Sequence, residues 1–389
     1  MQASPIRKLV PLALAAKEQG KKVYHLNIGQ PDIKTPPEFM AAVNSYDSEV
    51  LAYAHSQGYF PLIDAISHYY ERLGMHYGRE HIVITNGGSE ALQHAFVAIC
   101  NPGDEILVPE PFYTNYRGFS LPFNVEIKPI TCTAEDAFAL PSKEKIQSLI
   151  SDRTRAILVS NPGNPTGVVY SAEEVEMLRQ LALENDLFLI GDEVYREFAY
   201  DGDRAISFGE LEGVDDRVIL IDSVSKRFSA CGARIGCLIS RNTELIENVI
   251  KLAQARLCAP TLEMVGSTAL FELDPSFFEP IRAEYKLRRD TMIDALQKMP
   301  GVLCLRPKGA FYAIAKLPVK NAEDFVRWLL SDFDLDGETV MLAPVENFYQ
   351  TPGLGVDEVR LAYVLNVEDI KRAMRVLAAG LEAYPGERK

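Results

Sequence analysis

The chain has 389 residues, 47% hydrophobic and 24% charged, with 40 Lys and Arg against 54 Asp and Glu for a formal charge of −14. That size and apolar content predict a large buried core, split between one big domain and a smaller one. The acidic balance argues against a nucleic-acid groove or an anionic membrane surface as main partner, since both reward clustered cations, and no run reaches the roughly 18 apolar residues that span a bilayer.

In chain order, the opening MQASPIRKLVPLALAAKEQGKK holds only a short apolar patch and no signal-peptide core or cleavage site, so cytoplasmic residence is expected. The first forty residues show no sheet-forming run and are expected to pack against the small domain. From about residue 80 to 240, the runs HIVIT, EILVP, RAILVS, LFLIGDE and RVILIDS read as buried strands, short and apolar throughout. Amphipathic segments lie between them. In SAEEVEMLRQLALEND, Val175, Leu178, Leu181 and Ala182 recur at helical spacing, and Ser171 with Glu174 makes a capping box. Alternating strands and helices predict an α/β fold with a mostly parallel sheet covered on both faces.

The last third reads differently, with GVLCLRPKGAFYAIAKL as strand, NAEDFVRWLL as a capped helix, VRLAYVL as strand, and a final helix in which Ile370, Met374, Leu377 and Leu381 share a face. The expected division is a large domain over residues 40–265 and a small α+β domain built from 1–39 and 266–389. None of the six cysteines forms a CxxC pair, and the six histidines show no metal-ligand spacing, so reduced thiols and no metal are expected.

Ligands in such sheets bind beyond the carboxyl ends of the strands, and polar motifs follow the strands here. After HIVIT comes NGGSEALQHAF, where Gly88, Ser89 and the amide of Glu90 suit a phosphate at a helix start, or simply make a strand–helix turn. NPGNPTG follows RAILVS, a rigid turn whose Asn164 amide can donate to an oxygen. GDEVY places Asp192 at a strand end, as helix cap or as partner of a ligand cation, with Tyr195 close behind. Finally, SVSKRFSACGARIG carries Ser223, Lys226 and Arg234. Each signal is weak alone, but one ligand uses them all: pyridoxal 5′-phosphate, which needs a lysine for its carbonyl, a carboxylate for its ring nitrogen, donors for its ring oxygen and an arginine with helix-end amides for its phosphate.

These motifs, in this order and over essentially the full length, resemble the class I aminotransferases of the fold type I pyridoxal 5′-phosphate family, typified by aspartate aminotransferases. The resemblance implies that Lys226 forms the Schiff base and moves the Cα proton, and that Asp192 pairs with the pyridinium nitrogen. It implies that Asn164 and Tyr195 hold the ring oxygen, that Ser223 and Arg234 grip the phosphate with the Gly88–Glu90 turn, and that Tyr113 stacks on the ring. Arg360 in VRLAYVL and the backbone at Gly29 in NIGQPD would hold the α-carboxylate, and Asn164 would also face the substrate. Tyr53 in YAHSQGYFPL sits where the family reaches a neighbouring subunit's phosphate, which implies a homodimer.

The chain departs from family patterns at three places. Tyr113 stands where many members have Trp, Ser89 where an aspartate-specific subgroup has Lys, and Val345 where Gly is common. Arg256 lies near the position of an arginine in another aspartate subgroup, without a supporting local motif. The implied activity is a ping-pong transfer of an amino group between an L-amino acid (aspartate or glutamate, aromatic, or alanine-like) and a 2-oxo acid. A carbon–sulfur β-lyase on the same scaffold is the alternative. A non-catalytic pyridoxal-phosphate sensor ranks last, because Gly29 comes too early to leave room for a preceding DNA-binding domain.

Overall fold

All five apolar runs become strands of one seven-stranded sheet in the computed structural model, which describes residues 8–388. Across the sheet the order is Ile82–Thr85, Gly236–Ile239, Val218–Ser223, Phe188–Asp192, Thr154–Ser160, Glu105–Glu110 and Glu126–Thr131. Neighbours are parallel from Val218–Ser223 to the Glu126–Thr131 edge, while Gly236–Ile239 runs antiparallel to both its neighbours.

Successive side chains leave opposite faces of a strand, so a strand covered on both sides must be apolar at every position. In Thr154–Ser160, Ile157 and Val159 join one core, with Leu178 and Leu181 of the Ala172–Asn185 helix. Ala156 and Leu158 join the opposite core, with Leu92 and Phe96 of the Gly87–Ile99 helix. The expected capping box forms: Ser171 Oγ accepts the Glu174 N–H at 3.2 Å, and the Glu174 carboxylate accepts the Ser171 N–H at 2.8 Å.

Two strands of this sheet lack a clear sequence signal. Gly236–Ile239 is only four residues long, and Glu126–Thr131 is an edge strand carrying Pro129 and exposed Glu126, where one solvated face breaks the apolar run.

The last third forms a three-stranded antiparallel sheet in the order Ala343–Pro344, Glu358–Ala362, Tyr312–Lys316. The Ala322–Ser331 and Val367–Ala383 helices start at Asn321 and Asn366, whose side chains cap them, and Ile370, Met374, Leu377 and Leu381 are buried as expected. The run GVLCLRPKGAFYAIAKL is strand only over Tyr312–Lys316, with Leu303 making a single bridge to Lys316, because Pro307 and Gly309 interrupt it.

The expectation of no strand in the first forty residues is overturned. Lys22–His25 pairs in parallel with Glu338–Met341, a partner so distant in sequence that a four-residue segment carries no trace of it. The N-terminal segment does pack on the last third: Leu9, Ala13 and Tyr24 share a core with Phe325, Met341 and Leu377. Among the described residues, no helix is long and apolar enough to cross a membrane.

Candidate active site

Six of the seven strands point the same way, so their following turns crowd one edge of the sheet. There a cavity of about 400 Å³ opens, lined by Gly29, Gly88, Ser89, Tyr113, Asn164, Asp192, Tyr195, Ser223, Lys226, Arg234 and Arg360. Stretches from Gly29 to Arg360, far apart in sequence, are thus brought to one place.

Lys226 sits on the one-turn helix Val224–Arg227, capped by Ser223, whose Oγ accepts the Ser225 N–H at 3.0 Å. Beneath it, buried Asp222 accepts the Ser223 N–H at 2.7 Å, the Arg227 guanidinium at 2.7 Å and the Tyr70 hydroxyl at 2.9 Å. A buried ion pair with this many partners holds its geometry, so the lysine has a rigid base. Its Nζ donates to the Gly29 carbonyl at 3.0 Å.

Asp192 ends its strand with its carboxylate buried against the cavity. Oδ2 accepts the Tyr116 hydroxyl at 2.6 Å, while among the described residues Oδ1 has no hydrogen-bond partner. Burial pushes the carboxyl up to about 6, and the Tyr116 hydrogen bond pulls the other way. A buried carboxylate with one free oxygen lacks a cationic donor, which a protonated ring nitrogen would be.

At the phosphate end, the Gly87–Ile99 helix begins directly in the turn, so its first N–H groups have no intrahelical partner. Gly87 has φ 74°, and a Cβ there would come within 2.4 Å of Arg234 Nη2. Arg234 itself has φ 55°, an uncommon state for a residue with a side chain, and it brings the guanidinium beside the glycine turn. Helix amides and a guanidinium facing one gap form an anion cradle.

Arg360 is buried, and among the described residues no carboxylate pairs with it. It donates to the Asn27 carbonyl at 2.6 Å and the Asn164 side-chain oxygen at 3.1 Å, and its Nε has no hydrogen-bond partner among the described residues. Its guanidinium lies 4.5 Å from the centre of the Tyr312 ring, and burial lowers its pKa. The Asn164 amide donates to the Tyr195 hydroxyl at 3.5 Å, and that hydroxyl is 3.0 Å from the Tyr312 hydroxyl. Tyr113 presents a half-buried ring at the cavity, its hydroxyl accepting from Asn115 at 2.7 Å.

One of the expected residues lies away from the cavity. Tyr53 is 79% exposed and does not line the cavity. The Glu90 carboxylate turns back to accept the Asn86 N–H at 2.7 Å and lies 3.3 Å from Arg256, so Glu90 can serve the cradle only through its amide. Two functional residues escaped the sequence reading, Tyr116 and Tyr312. The only hint of the first was its helical spacing from Tyr113. Tyr312 meets Arg360 because Arg360 pairs with Ile314, two residues along the same strand, and that register is invisible in the sequence.

A mostly parallel α/β sheet that collects these groups at its carboxyl edge defines a fold type I pyridoxal 5′-phosphate enzyme: the free Asp192 oxygen, the unpartnered Arg360 Nε and the glycine cradle fit that cofactor's ring nitrogen, substrate carboxylate and phosphate. The family profile described as aminotransferase class I and II matches residues 21–377. The chain belongs to that family and is a pyridoxal 5′-phosphate-dependent aminotransferase acting on amino acids and 2-oxo acids. An aspartate aminotransferase from Thermotoga maritima is 30% identical over 380 residues, covering 95% of each chain. An arginine–pyruvate transaminase from Pseudomonas aeruginosa is 30% identical over 371 residues, covering 94% of this chain and 92% of its own. The solved structure of an alanine aminotransferase from Pyrococcus furiosus aligns with a TM-score of 0.88 at 28% identity, covering 98% of this chain and 100% of that one.

Proposed function

We propose that the cavity is the transamination site and that its residues divide the work as follows. Bound pyridoxal 5′-phosphate supplies a carbonyl that captures the substrate amine and a ring that takes up the electron pair left at Cα. Lys226 Nζ would hold the cofactor covalently at rest and, once released, would carry the proton from the substrate Cα to the cofactor's C4′, and from C4′ back to Cα in the second half-reaction. Asp192 Oδ1 accepts the ring N–H and keeps that nitrogen protonated, with Tyr116 fixing the carboxylate's orientation. Arg234, Ser223 and the first amides of the Gly87–Ile99 helix, those of Gly88, Ser89 and Glu90 among them, hold the phosphate.

Asn164 and Tyr195 donate to the ring oxygen, and Tyr113 covers a ring face. Arg360 takes the substrate α-carboxylate in a bidentate pair, exchanging its contact with the Asn27 carbonyl for a charged partner, beside Gly29. The observation that carries this reading is a pair of unmatched charges in the cavity that also holds Lys226: among the described residues, Asp192 keeps one buried oxygen without a hydrogen bond and buried Arg360 meets no carboxylate.

The active unit we propose is a homodimer in the cytoplasm, each Tyr53 reaching its partner's phosphate. The 79% exposure of Tyr53, beside Leu51 at 60% and Val50 at 69%, supports a covered position for this segment. The core that holds Leu9, Tyr24 and Leu377 is separate from the two on either face of the seven-stranded sheet, which supports a division near residues 40 and 265, although it also takes in Tyr195 and Phe198 and one sheet core takes in Leu270 and Phe278. Candidate substrates are aspartate or glutamate, aromatic and alanine-like amino acids.

The test is an absorbance scan of the loaded protein as single amino acids are added. The visible cofactor band should fall, and a 2-oxo acid should restore it. Lys226→Ala should abolish the exchange with the fold intact. An oxo-acid-dependent Lys226→Ala enzyme would end the assignment, and pyruvate release from cystathionine without an oxo acid would favour a lyase.

A further inference from the structure

We infer that Arg256 is a positioning residue for the phosphate cradle, acting through Glu90 without touching the cofactor. The inference rests on the cradle reading above. Arg256 is the last residue of the Thr243–Arg256 helix and does not line the cavity. Its Nη2 donates to the Ile84 carbonyl at 3.1 Å, on the strand that enters the turn. Its Nε lies 3.3 Å from Glu90 Oε1, on the helix that leaves the turn. The other Glu90 oxygen accepts the Asn86 N–H at 2.7 Å, in the turn itself. One guanidinium, by a hydrogen bond to Ile84 and an ion pair to Glu90 that is not a hydrogen bond, and one carboxylate therefore link the strand end, the turn and the helix start over residues 84–90.

The pair is shielded, at 19% and 17% side-chain exposure, which separates it from surface pairs that contribute little. A second observation points the same way. Leu257, directly after Arg256, has φ 84° and ψ −85°, a conformation that a branched side chain adopts only when its surroundings force it. The helix thus stops abruptly at the residue whose guanidinium reaches the turn.

The turn has little slack. A Cβ on Gly236 would lie 2.6 Å from the Gly87 carbonyl carbon and the Gly88 nitrogen, and one on Gly87 would lie 2.4 Å from Arg234. A shift of a few tenths of an ångström in the Gly87–Gly88 backbone changes the aim of the amides and of Arg234 together. Releasing the clamp should therefore weaken recognition of a phosphate and leave recognition of the rest of the ring unchanged.

Pyridoxal and pyridoxal 5′-phosphate differ only in that group. Titration of the full-length apoprotein with each, followed by absorbance, isolates the effect. Arg256→Met should raise the Kd for the phosphorylated form about tenfold, the scale of one lost hydrogen bond to a charged group, with the Kd for pyridoxal unchanged. Glu90→Gln should act in the same direction, and the double variant should lose no more than Arg256→Met alone, because both remove one linkage. Wild type failing to bind pyridoxal 5′-phosphate would defeat the cradle reading itself. Wild type binding normally, with either variant unchanged or with pyridoxal weakened equally, would overturn the clamp. Should Arg256→Met fail to fold, Glu90→Gln decides alone.

Discussion

Removing the charge at Asp192 should make the apoprotein's stability less sensitive to pH, and the size follows from burial. The carboxyl is raised from 3.8 to about 6, so the unfolded chain gives up its proton first. For an acid with a raised folded pKa, the penalty is absent below the unfolded value, grows between the two, and is complete above the folded one. At 1.36 kcal/mol per pKa unit the complete penalty is about 3 kcal/mol, most of which develops between about pH 4 and 7.5. Asn keeps an oxygen for the Tyr116 hydroxyl, and its own desolvation cost does not vary with pH. Urea unfolding of wild-type and Asp192→Asn apoprotein across that range should therefore show the variant gaining about 2 kcal/mol on wild type as pH rises. A pH-independent difference would mean that Asp192 is not a strained buried carboxylate. In the loaded protein the order should reverse, because the ring nitrogen's proton then satisfies the charge and Asn cannot replace it.

Other outcomes follow from the same geometry. Arg360→Met should lower kcat/KM for amino acids by about a hundredfold or more, the scale of a lost bidentate carboxylate pair, with the Kd for pyridoxal 5′-phosphate nearly unchanged in titration. Tyr53→Phe should weaken cofactor affinity only if the protein is dimeric, so analytical ultracentrifugation and cofactor titration should agree. A monomer with full activity would remove Tyr53 from the site. Tyr116→Phe deletes the hydrogen bond that holds the Asp192 carboxyl down, and the pH at which Asp192 titrates in the apoprotein should rise.

What was legible in the sequence was local. Each of NGGSE, NPGNPTG, GDEVY and SVSK joins an apolar strand to its own turn, and parallel strands with right-handed crossovers bring such turns to one edge without further information. Lys226, Asp192, Asn164, Ser223 and the Gly88–Ser89 turn therefore arrive in one cavity as their order along the chain required. Contacts made across segments were not legible. Tyr116 reaches Asp192 only because the Asn115–Ser120 helix lies above that strand end, and Tyr312 reaches Arg360 only through an antiparallel register. The Lys22–His25 strand exists because Glu338–Met341 lies beside it, and Arg256 becomes a clamp because its helix ends against Ile84 and Glu90. The motifs chose the chemistry because each is a short covalent arrangement. Tertiary packing decided charge state, orientation and tolerance, because burial and register depend on chain segments that meet only after folding.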